Sequence, residues 1–277
     1  MPTIAKRLIQ IDLKVKRAKK HVADLDREIH VFLDTKPYRV AVKRDPQSRK
    51  VIYYVSSVEL TPDCLPLIAG DVIQNLSTAL DHLAYQIVCS DTGDKPPTPS
   101  RIYFPIADSP DEYESRKDGQ IKGAAQESFN AINALKPYKG GNELLWSLYR
   151  LNNIEKHRLL ITVGSMFQSV NLGAHLQSVM TQAIAADPNN PLHGIPVPTV
   201  DAFYKPADGL FPLKVGDELL IDLADAKVNE NLQFRFNVAL YEPQIIEAQA
   251  IIETLHQLTT LVEGIVAALT PRLRDTP

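Results

Sequence analysis

Two cysteines, Cys64 and Cys89, are all that the 277 residues contain. They are too few for a disulfide framework and lack the paired spacing of a zinc site. A reducing compartment, the cytoplasm, is the expected location. Long apolar runs are also missing. No stretch approaches the roughly 18 apolar residues of a membrane span, and charges recur too often after Lys6-Arg7 to leave the apolar core of a signal peptide. Nor does charge of one sign dominate. A net charge of −3 gives no global pull toward nucleic acid or an acidic membrane, so such a partner would have to be held by a local patch. Phosphate loops and dinucleotide fingerprints are absent, which removes the commonest nucleotide-dependent enzymes, and no GxSxG elbow occurs.

What is present is unevenly placed. Lys6, Arg7, Lys14, Lys16, Arg17, Lys19 and Lys20 stand against the single acid Asp12, whereas Glu242–Leu269 carries Glu242, Glu247, Glu253 and Glu263 and no Lys or Arg. From Ala5 to Leu33 apolar residues alternate by threes and fours through Leu8, Ile11, Val15, Ala18, Val22, Leu25, Ile29 and Phe32, which predicts a long heptad-type helix ended near Pro37. Tyr38–Lys43 and Val51–Val58 predict a hairpin about the polar turn Arg44–Lys50, and a helix should run from about Pro62 to Cys89. Ser90–Arg101 reads as a loop followed by a short strand at Ile102–Ile106. Helices are expected over Asp111–Leu135 and Asn142–Arg158, and strands over Leu159–Val163, Leu213–Leu223 and Asn231–Tyr241. Ala186–Thr199 reads as a Pro-rich loop, and Pro243 as the start of a last helix that ends at Pro271. The class is α+β, taken as one domain over 1–277: a helical part (5–35, 62–158, 243–270) and a β-rich part (36–58, 159–241). The first and last helices, opposite in charge, are expected to pack together.

The chemistry-bearing residues fall on two helices. Asp71, Asn75, Thr78 and His82 follow one another by four, three and four, a stripe that drifts only about 20° over three turns. Arg150, Asn153 and His157 lie at i, i+3 and i+7 of a later segment, RLNNIEKHR. Plain structural roles fit many of these positions. Asp71 near a helix start is favoured by the macrodipole, as are Lys156, His157 and Arg158 in a last turn, and Asn75 suits a hydrogen bond to a neighbouring element. No metal is expected, since Asp71 and His82 are about 16 Å apart along the helix, and Asp81 and His82 point about 100° apart. A mononuclear site would need His82, His157 and Glu155 together, with His21 or His30. Ser77 can touch Asp81 at i+4 but faces away from His82, so a nucleophilic triad is not indicated.

Gly70, Asp71, Asn75, Leu76, Ala79, Leu80, Asp81, His82, Leu83 and Ala84, with Glu155, Lys156, His157 and Arg158, resemble a widespread bacterial group that has a GDxxxNLxxALDHLA helix and a later [DE]KHR. The group brings no activity with it. A more distant resemblance is to the HEPN superfamily, helical bundles that often dimerise and carry an Arg, four to six residues and a His as a metal-independent ribonuclease site; Arg150 and His157 have that spacing. Leu151 stands where the superfamily usually has a polar residue, and Ser77 stands where an Arg would complete a second such motif. The resemblance implies a homodimer without cofactor that binds or cleaves RNA, His157 acting on a 2′-hydroxyl and Arg150 on the phosphate. Two alternatives stay open: a non-enzymatic homo-oligomeric interaction protein, in which the stripes are internal hydrogen-bond networks, and a metal-dependent hydrolase using His82, His157 and Glu155.

Overall fold

The heptad pattern of the N-terminal segment forms helix α1, Ile4–Asp34. Its inward positions Ile11, Val15, Ala18, Val22, Leu25, Ile29 and Phe32 are all buried, each large side chain contributing roughly 1.5–3 kcal/mol. The structure is a computed structural model that describes residues 3–157, 160–198, 202–206, 210–230 and 232–274, the side chains of His157 and Ala174 excepted. Helices and antiparallel strands both contribute, so the class is α+β. The chain forms two compact units: the first comprises Met1–His30, Pro62–Val163 and Leu240–Pro277, the second Val31–Thr61 and Gly164–Ala239.

The first unit is built around α2, Cys64–Asp91, which buries Leu65, Val72, Ile73, Leu76, Leu80, Leu83 and Ile87 among others. Helix α5, Glu143–His157, and helix α7, Ile251–Leu269, pack on α2 and on each other. The first and last helices also meet, Lys19 Nζ lying 2.6 Å from Glu263 Oε1. Both side chains are about half exposed, so this pair adds little beyond orientation.

Three expectations need correction here. The span Asp111–Leu135 is two helices, α3 (Pro110–Gln120) and α4 (Gln126–Asn133). Between them Gly123 adopts φ +101, where a Cβ would strike Thr92 at 2.9 Å, so the helical path cannot continue. Ile102–Ile106 is irregular rather than a strand: Phe104 N–H is taken by the Asp81 carboxylate and Tyr103 N–H by the Gln120 carbonyl. Pro243 does not open the last helix. It lies in a turn closed by Ile245 N–H to Glu242 O, with Gln244 at φ +66, and a short strand, Ile246–Ala250, comes before α7.

In the second unit β1, Tyr38–Arg44, pairs antiparallel with β2, Lys50–Val58, in the register Tyr38↔Val58 to Arg44↔Val51, with a bulge at Arg39/Val40. The Asp45 carboxylate closes the turn by accepting from Gln47 N–H and the Ser48 hydroxyl. Strand β3, Val163–Asn171, starts later than expected; Leu159 lies outside the described residues, and Leu160 to Thr162 are irregular. A helix that the sequence reading missed, α6 (Gly173–Ala186), follows it within the span expected to be β-rich. The short strand β4, Phe203–Tyr204, pairs with β3. Strand β5, Glu218–Ala224, extends the hairpin sheet through Ile52↔Ile221. It begins after Gly216, at φ +97, rather than at Leu213. Strand β6, Gln233–Glu242, lies beside β3; the first expected residue, Asn231, is outside the described residues. Val55, Phe167, Val170, Leu213 and Leu219 form the core, with Tyr38, Phe234 and Phe236 against it. His175 Nε2, 3.1 Å from Asp222 Oδ2, ties the start of α6 to β5.

Candidate functional site

On α2 the expected polar stripe exists as a face, yet two of its members are spent locally. Asn75 Nδ2 donates to Asp71 O at 2.7 Å and Thr78 Oγ1 donates to Gln74 O at 2.7 Å, the back-bonding by which polar side chains satisfy themselves within a helix. Lys14 Nζ reaches Asn75 Oδ1 from α1 at 3.4 Å, and Asp71 is exposed. His82 is half-buried with Nδ1 unpartnered. Burial holds its pKa below the usual histidine value, with Lys14 acting in the same direction and Asp81 opposing. Asp81, the neighbour of His82 on α2, binds another segment. Its Oδ1 accepts Phe104 N–H at 3.0 Å, and burial nevertheless raises its pKa.

Helix α5 begins at a polar cap, with Asn142 Oδ1 accepting Leu145 N–H and Glu143 Oε1 accepting Gly140 N–H. Leu145, Trp146, Leu148, Leu151 and Asn152 are buried. Arg150 turns outward from that face, one turn beyond Trp146, and both bind one carboxylate: Arg150 Nη1 lies 2.9 Å from Asp108 Oδ2, and Trp146 Nε1 lies 2.8 Å from Asp108 Oδ1. The Lys139 ammonium sits 4.6 Å from the centre of the Trp146 ring. These residues line a cavity of about 530 Å³ that Ile154, Glu242 and Pro243 also border. The Arg150 side chain is 33% exposed, but its Nε is buried and has no partner. Asn153, half-buried, is one turn further along α5. The backbone of His157 ends the helix, its side chain lies outside the described residues, and so does Arg158.

Glu155 points elsewhere. Its carboxyl lies over Gly70, where a Cβ would be 2.6 Å from Oε1 and 2.9 Å from Oε2. Burial raises the Glu155 pKa, Asp71 adds to the rise, and the Ile161 backbone N–H opposes it; Oε2 is buried without a partner. Lys156 is exposed. The structure therefore brings Glu155 to Gly70 and Asp71. Among the described residues Arg150 makes no hydrogen bond or ion pair to the α2 stripe. No three His, Cys, Asp or Glu side chains are gathered as a metal would need among the described residues, which do not include the His157 imidazole.

Sequence reasoning missed Asp108, Lys139 and Trp146. Trp146 had a usable signal, since it precedes Arg150 by four and so shares its side of the helix. Asp108 and Lys139 sit in irregular segments, where spacing carries no such information.

Comparison of the chain with models of protein families, with curated proteins and with solved structures found no match. No helix among the described residues is long and apolar enough to cross a membrane.

Proposed function

We propose that this is an RNA-binding protein with a HEPN-like helical bundle, in which Arg150 contacts a phosphate, Asn153 lies beside it and His157 serves as general acid or base in metal-independent cleavage. The observation that carries the reading is the guanidinium of Arg150. It stands at an open cavity with Nε–H lacking an acceptor, on the helix whose next two turns bear Asn153 and His157. A guanidinium so placed can stabilise the charge of a phosphodiester transition state, and an imidazole can move the 2′-hydroxyl proton. A cytoplasmic homodimer is the corresponding assembly.

The test is cleavage and binding of a mixed RNA pool in EDTA by the full chain, beside His157→Ala and Arg150→Ala matched for folding by circular dichroism. Cleavage is expected, with a loss of about 10²-fold or more in the histidine variant and weakened binding in the arginine variant. Unchanged activity in both variants, or no RNA binding by the unsubstituted chain, refutes the proposal.

One observation favours the non-enzymatic alternative. Asp108 already neutralises Arg150 while holding Trp146, so the network is partly closed on itself, as an internal structural network would be. A metal-dependent hydrolase gains nothing comparable.

A further inference from the structure

Helix α1 spends one side on the core and turns a row of cations outward on the other. At about 100° per residue, Lys6, Ile9, Leu13, Lys16, Arg17 and Lys20 fall within an arc of roughly 100°, opposite the buried Ile11, Val15 and Val22, and all six are exposed. From Lys6 to Lys20 this ridge is about 21 Å long, and it carries no acid. Asp12 lies off the ridge, in the cleft that α1 forms with α7, and the next acid along the ridge, Asp24, is ion-paired with Arg27 at 2.8 Å. The other cations of the segment are occupied: Arg7 by Asp94, Lys19 by Glu263 and Lys14 by the Asn75 side chain. Among the described residues none of the four ridge cations has a carboxylate partner. Between them stand two aliphatic side chains one turn apart, Ile9 at 52% and Leu13 at 59% exposure. The core has no use for this pair, because other residues fill every inward position. A nucleic-acid backbone would recruit the cations but offers the aliphatics nothing, and no aromatic is interleaved for base stacking. An anionic lipid surface matches both, with headgroup charge for the cations and the acyl boundary for Ile9 and Leu13.

We infer that the outer ridge of α1 docks on an anionic membrane surface, the helix lying along the headgroups with Ile9 and Leu13 reaching the acyl boundary. The net charge of −3 does not oppose this, because seven cations against one acid between Lys6 and Lys20 make the local field positive. Arg150 and its cavity take no part.

The full chain is sedimented with vesicles of phosphatidylcholine alone and with vesicles containing about one third phosphatidylserine. Saturable binding to the anionic vesicles is expected at low salt, lost at high salt and absent with phosphatidylcholine. The ridge side chains are exposed, so substitutions there should leave the fold intact, which circular dichroism checks. Lys16→Gln with Arg17→Gln removes two charges and is expected to weaken vesicle binding ~10-fold or more, at about fivefold per charge. Ile9→Gln with Leu13→Gln keeps every charge and is expected to weaken it ~10-fold as well, through the lost apolar contact. Lys227→Gln, exposed on another element, should change nothing. No binding to anionic vesicles at low salt, or undiminished binding in either double variant, overturns the inference. Duplex RNA binding that falls in the charge variant, with no vesicle binding by the unsubstituted chain, makes the ridge a nucleic-acid track and overturns it too. RNA cleavage in EDTA without vesicle binding removes only the membrane assignment. Vesicle binding without RNA binding removes only the RNA reading.

Discussion

Replacing Gly70 by alanine should expose the close approach of α5 to α2. Alanine is about 1 kcal/mol better than glycine in a helix interior, so an unobstructed Gly70→Ala would stabilise the protein. The site is obstructed: the added methyl would sit 2.6 Å from the Glu155 carboxyl carbon and Oε1, so the carboxyl must retreat by most of an ångström. The atoms that must move are the end of a flexible side chain, so retreat costs toward the low end of overpacking strain, about 1–2 kcal/mol, and it disturbs the bond from Ile161 N–H, worth about 1 kcal/mol. The net expectation is a loss of about 1–2 kcal/mol, or a fall in Tm of roughly 2–8 °C for a chain of this size. With Glu155→Ala in place the obstruction is gone, and Gly70→Ala should then stabilise by about 0.5–1 kcal/mol. Urea unfolding followed by circular dichroism on the four proteins of this cycle measures both signs. Equal stability changes with and without Glu155, or a stabilised single variant, would refute the account of why glycine occupies position 70.

Two further outcomes follow from the same helices. His82 has its folded pKa depressed, so its contribution to stability is present above the ordinary histidine range and is lost as pH falls through the lower folded value; stability should drop as the pH falls below about 6.5, and His82→Gln should flatten that limb. A ring-proton NMR titration placing His82 at or above the ordinary value would contradict this. Asp108→Asn keeps a carbonyl for one of its two donors but removes the charge opposite Arg150. Thermal unfolding should show a cost of about 1–2 kcal/mol, while RNA binding at low salt should tighten several-fold as the guanidinium is released; weaker RNA binding would count against Arg150 as a phosphate-binding group.

Helix α1 could be read from sequence because its strict threes and fours put every inward position on one face, and the structure buries Ile11 through Phe32. The hairpin was equally legible, since β-branched and aromatic runs flank a polar turn. Helix α6 escaped because GAHLQSVMTQAIAA has no Asp, Glu, Lys or Arg to mark an outer face, and it leaves Leu176, Val179 and Met180 about half exposed. At the candidate site, spacing identified Arg150 and Asn153 as neighbours on α5. It could not identify Asp108, whose contact closes a loop of 42 residues, nor show that Glu155 lies against Gly70 on another helix. Helical periodicity fixes direction within one element; partners across elements depend on packing that the period does not encode.

The chain leaves the first compact unit after His30 and again after Val163, and returns to it at Leu240 to supply α7. During synthesis the second unit has all of its residues once Ala239 has emerged, whereas α2 and α5 must wait for Ile251–Leu269. Nascent chains stalled before Ile251 therefore present the apolar faces of α2 and α5 uncovered, a form that chaperones would bind and proteases would cut. The last helix, about a hundred residues beyond Arg150, decides when that chemistry can be assembled.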